Sequence, residues 1–93
     1  MEKPQISYSH KSMKIIAYFK TGCPWCEDAR DFLENKKISF EERNVTENKE
    51  YFIEMQKKSG QTKAPTFDID GEILADSDKE ALEKYLVEHG TIL

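Results

Sequence analysis

Cys23-Pro24-Trp25-Cys26 are the residues of this chain whose types and spacing suit chemistry. Two thiols at this separation can bridge or part with little backbone movement, which fits reversible two-electron redox exchange. An apolar, β-prone run, Lys14-Ile15-Ile16-Ala17-Tyr18-Phe19-Lys20, precedes them, a short Thr21-Gly22 link follows the run, and a helical pattern opens at the thiols. The unpaired N–H groups and the positive end of a helix dipole favour a thiolate at such an N-terminus. Cys23, with Lys20 three residues before it, is therefore the expected nucleophile. Cys26, one turn deeper, is the expected resolving thiol. The chain has 2 cysteines in all, too few for a disulfide framework. In a cytosolic setting, Cys-x-x-Cys beside a βα pattern reads as a redox motif. Two buried structural cysteines are the plain alternative, but Cys-Pro-aromatic-Cys at a strand-to-helix junction fills a core poorly. Structural zinc usually needs four protein ligands. Beyond the cysteines only His10 and His89 are at hand, near opposite ends of the chain, and no metal site is expected.

The elements that must position these thiols can be read from periodicity and punctuation. Residues 13–20 fit a buried strand. A helix over 24–36 has Cys23 at its N-cap and Pro24 at N1, where the missing N–H costs nothing. Ala29, Phe32 and Leu33 form its apolar face. Residues 38–45 alternate and carry charge, as a half-exposed edge strand does. Thr46 is the expected N-cap of a second helix over 47–58, with Tyr51, Phe52 and Met55 at helical spacing and Ser59-Gly60 as its stop. Thr66-Phe67-Asp68-Ile69 and Glu72-Ile73-Leu74-Ala75 flank Asp70-Gly71, a strong hairpin signal. A third helix runs from Asp78 to His89, with Ala81, Leu82, Tyr85 and Leu86 as its stripe. The order is β-α-β-α-β-β-α, and a right-handed crossover makes the first two strands parallel. Tyr18, Phe19, Phe32, Phe52, Phe67 and Tyr85 are the expected aromatic core.

Composition narrows the classes. The 93 residues make one domain, 38% hydrophobic and 34% charged, as in an ordinary globular protein. A net charge of −4 without a Lys or Arg run argues against nucleic acid and against a membrane surface held by charge. Nothing approaches a transmembrane span. Residues 1–12 are polar and aperiodic, read as a flexible arm before a domain over 13–93. They lack the apolar stretch of a secretory signal.

Cys23-Pro24-Trp25-Cys26 resembles the Cys-Pro-Tyr-Cys signature of glutaredoxins, Lys20 matches a lysine common in that family, and Ala64-Pro65 matches its Val-Pro, where the proline is cis. The resemblance spans residues 13–90. It implies an α/β thioredoxin-like (glutaredoxin) fold with a four-stranded mixed sheet and three helices. It also implies a cytoplasmic, monomeric thiol–disulfide oxidoreductase that reduces protein or glutathione mixed disulfides. Cys23 and Cys26 would be catalytic. Lys20, Trp25, Ala64, Pro65, Ser77 and Asp78 would hold an extended peptide or glutathione, the Ala64 backbone pairing with it antiparallel as an added strand. No tightly bound cofactor is implied; glutathione would be a co-substrate. Two departures stand out. The family's Gly-Gly is replaced by Ala75-Asp76, and Val-Pro by Ala-Pro. Ala-Pro also occurs in glutaredoxin-like electron donors reduced by thioredoxin reductase. That is the alternative reading among enzymes, and an iron–sulfur cluster carrier is the non-enzyme one.

Overall fold

The computed structural model describes residues 13–90; the expected arm, 1–12, lies outside them. β1 (Ile15–Phe19) is buried along its whole length, as a β-branched and aromatic run at the centre of a sheet must be. It pairs parallel with β2 (Glu41–Asn44) and antiparallel with β3 (Thr66–Ile69). β4 (Glu72–Leu74) completes a mixed sheet of order β2-β1-β3-β4. The β3–β4 turn is Asp70-Gly71 with φ of 51° and 94°, both positive, as a two-residue hairpin turn of the right twist requires.

Alternation along β1 divides the core. Ile15, Ala17 and Phe19 face helices α1 (Pro24–Asn35) and α3 (Lys79–Glu88), where they meet Ala29, Phe32, Leu33, Phe67, Ile69, Leu82 and Leu86. Phe19 and Phe67 meet edge to face, with centroids 5.9 Å apart. Ile16 and Tyr18 face α2 (Lys49–Ser59), where only Val45 and Met55 complete the buried set.

Several boundaries differ from the expectation. Thr46 does not cap α2; Asn48 does, its side chain accepting from the N–H groups of Glu50 and Tyr51. The cause is the Asn44 side chain, which accepts from Thr46 N and Glu47 N at 2.8 Å each and holds both in a turn. Thr46 Oγ1 instead accepts from the backbone of Thr21, 3.1 Å away. β2 begins at Glu41, not at residue 38, since Ile38 is still tied to the end of α1 through its N–H to Leu33 O. Ala81 is exposed, and Phe52 and Tyr85 are partly buried at the rim of the core.

Charge makes up for the thin seam under α2. The buried Tyr18 hydroxyl donates to Glu54 and accepts from Lys58 Nζ at 2.8 Å. Lys58 also reaches Asp68 at 2.7 Å, and Arg43 pairs with both Glu54 and Glu41. Burial and the bond to Glu54 raise the Tyr18 pKa above its ordinary value. Tyr18→Phe should cost about 1–2 kcal/mol, the usual cost of removing a hydroxyl that joins two charged partners. Urea denaturation reads this directly, and an unchanged midpoint would show that the network does not fasten α2.

Candidate active site

α1 begins at the thiols. Cys23 is its N-cap, in extended backbone, and Pro24 is the first helical residue. Cys23 Sγ accepts a hydrogen bond from Cys26 N at 3.2 Å. The sulfur therefore takes the place of a capping oxygen at the N-terminus of the helix. Both thiols are free. Cys23 is half-buried, whereas Cys26 is 0% exposed. Burial pushes the Cys26 thiol up to about 12, and its bond with Cys23 acts in the same direction; the Lys20 backbone and the Arg30 charge act against them. One sulfur faces solvent and the other is withheld from it.

Cys23 borders a cleft of about 520 Å³. Lys20, Thr21, Gly22, Pro24 and Trp25 line its near side, and Lys63, Ala64, Pro65, Asp76 and Asp78 line the rest. Trp25 is 61% exposed. The Ala64–Pro65 peptide bond is cis, as the resemblance implies. Neither the N–H nor the carbonyl of Ala64 makes a hydrogen bond among the described residues. Asp78 caps α3, its Oδ1 accepting from Ala81 N at 3.0 Å.

Of the residues expected at the site, Lys20, Cys23, Trp25, Ala64, Pro65 and Asp78 line one cleft. Ser77 does not. Its N–H donates to Pro65 O at 2.9 Å and its hydroxyl to Ala75 O at 3.2 Å, so its polar groups are spent on the loop itself. Lys63 lines the cleft without having been among the expected contacts; of the two residues that replace the family's Gly-Gly, Asp76 lines it and Ala75 does not. Lys63 directly precedes Ala64-Pro65, which was signal enough to find it. Asp76 stands where the family has glycine and holds φ at 51°, in the left-handed region where glycine is at ease.

A central βαβ unit, an antiparallel hairpin and a Cys-x-x-Cys pair capping the first helix define a protein of thioredoxin-like fold with a dithiol site. The glutaredoxin family model matches residues 15–74. A glutaredoxin-like 8.6 kDa protein from the rubredoxin operon of Clostridium pasteurianum is 32% identical over 72 residues, 77% of this chain and 96% of that protein. Glutaredoxin 3 of Escherichia coli is 36% identical over 64 residues, 69% of this chain and 77% of its own. The crystal structure of a point mutant of the thioredoxin-like protein BC3987 superposes with a TM-score of 0.71 at 28% identity, covering 77% of this chain and 97% of that one. The chain belongs to the glutaredoxin family, whose members are typically thiol oxidoreductases. No helix among the described residues is long and apolar enough to cross a membrane.

Proposed function

We propose that this protein reduces protein and glutathione mixed disulfides by thiol–disulfide exchange, Cys23 attacking and Cys26 resolving. The observation that carries this is the asymmetry of the pair: Cys23 caps the helix at the cleft, and Cys26 is buried behind it. The Cys23 thiolate attacks one substrate sulfur, the substrate S–S bond breaks, and the departing thiolate takes a proton from solvent. Cys26 then gives up its proton and attacks Cys23 Sγ. The second product leaves as a thiol, and a Cys23–Cys26 disulfide remains for an outside reductant to reopen. Lys20, Trp25, Ala64, Pro65 and Asp78 hold the substrate, and the unpaired Ala64 backbone supports binding as an added strand. The protein works as a monomer in the cytoplasm without a tightly bound cofactor.

Glutathione and thioredoxin reductase are the two candidate reductants, and Asp76 favours the second. Asp76 and Asp78 both line the cleft, and glutathione brings two carboxylates of its own. Turnover of one mixed disulfide measured with each reductant in turn decides between them. Ala75→Gly with Asp76→Gly should raise glutathione-dependent turnover about tenfold, the equivalent of ~1.4 kcal/mol. Unchanged turnover, from a parent already as fast as an ordinary glutaredoxin, would leave glutathione as the reductant.

A further inference from the structure

Residues of both charges, Lys20, Lys63, Asp76 and Asp78, line the cleft, and chain order with the Ser77–Pro65 bond sets which backbone lies on which side of Ala64. Ser77 N–H bonds Pro65 O at 2.9 Å, and Asp76 N–H bonds Thr66 Oγ1 at 3.3 Å. The first bond ties the Asp76-Ser77 backbone beside Pro65, on the C-terminal side of Ala64. Lys63 lies on the other side of Ala64. Its backbone is held by Gln61 Oε1, 2.6 Å from Lys63 N, and by Thr66 Oγ1, which donates to Lys63 O at 2.8 Å. Among the described residues, neither the Lys63 ammonium nor the Asp76 carboxylate has an ion pair or a side-chain hydrogen bond. Both residues line the cleft that Cys23 borders.

A strand laid antiparallel along Ala64 has its direction set by these facts. Its N-terminal flank meets Asp76 and its C-terminal flank meets Lys63. We infer that the substrates this cleft selects are disulfide-bonded peptide segments with a basic residue before the reacting cysteine and an acidic residue after it. Asp76 and Lys63 are the specificity-determining pair. The inference rests on the exchange reaction proposed above and adds to it a substrate class and a direction. In the exchange, the Cys23 sulfur bonds the peptide's cysteine sulfur and the other half of the substrate disulfide departs as a thiolate. Cys26 then bonds Cys23 and releases the peptide as a thiol. The two electrons come from Cys23 and Cys26.

The test uses two capped peptides of identical composition, Lys-Cys-Glu and Glu-Cys-Lys, each joined through its cysteine to 2-thiopyridine. Pre-reduced protein is mixed with each in a single turnover, and released 2-thiopyridone is followed by its absorbance, so no outside reductant enters. Lys-Cys-Glu should react about tenfold faster at low ionic strength. The preference should shrink in 0.5 M salt, where charges at exposed positions are screened beyond a few ångströms. In the double variant Asp76→Asn with Lys63→Gln the two peptides should react at the same rate. Equal rates with the parent protein, a preference for Glu-Cys-Lys, or a preference that survives in the double variant would each overturn the inference while leaving the exchange reaction standing. Release from neither peptide would overturn the exchange reaction itself, and the inference with it.

Discussion

Cys23→Ser should lower disulfide reduction by at least about a thousandfold, because a serine hydroxyl cannot replace the attacking thiolate. Cys26→Ser should behave differently. Its nucleophile still sits at the helix cap, so the first exchange proceeds, but nothing behind it can release the product. The protein should then accumulate as a mixed disulfide with its substrate, visible as a mass increase that a reductant removes. Single-thiol exchange with an external thiol should persist. The asymmetry in burial is the motive: Cys26 is fully enclosed by the core while Cys23 reaches the cleft. Turnover retained by Cys23→Ser and lost by Cys26→Ser would reverse the two roles.

The reduced protein should lose stability at high pH in a way the oxidised protein does not. Burial first, and the bond with Cys23 second, push the Cys26 thiol from 9.0 up to about 12. Between those values the unfolded chain has lost this proton while the folded chain keeps it. The contribution is therefore complete below pH 9 and disappears as pH climbs toward 12, amounting to as much as about 4 kcal/mol. Tyr18 and Tyr85 are also raised by burial and by carboxylate partners, but no thiol is among the groups that shift them, so their contributions should cancel between the two redox forms. Urea midpoints of the two forms between pH 8 and 11 isolate the thiol. The reduced form should fall behind the oxidised one, and Cys26→Ser should remove most of that fall. Parallel curves for both forms of the parent protein would show that Cys26 is more hydrated than its burial implies.

The order of all seven elements could be read from local signals. Pro24 after a capping side chain, Asp70-Gly71 between two short strands and Gly60 after α2 each fix a boundary by backbone geometry that a neighbouring residue cannot change. The errors fall where a side chain or a helix end competes for the boundary. Thr46 has the chemistry of an N-cap, yet its hydroxyl serves the Thr21 backbone, 25 residues away in sequence, and Asn44 closes the turn that displaces it. Tyr18 reads as core and is core, but its hydroxyl meets Glu54 and Lys58 from α2, and no local pattern joins them. At the cleft, Cys23 and Cys26 are legible because their spacing is itself the signal. Asp76 is different. Its place at the cleft depends on the bonds from Asp76 and Ser77 to Thr66 and Pro65, so the substitution of a glycine was visible in the sequence, but the bonds that hold the loop there were not.

Trp25 is the only tryptophan of the chain, and it lines the cleft that Cys23 borders and is mostly open to water. The protein's indole fluorescence therefore arises at a single point, within reach of the chemistry. A disulfide formed at Cys23 quenches a neighbouring indole, and a partner that covers the ring moves its emission to the blue. The molecule carries its own optical probe: one unlabelled sample reports both docking and electron transfer, each through a separate property of the same light.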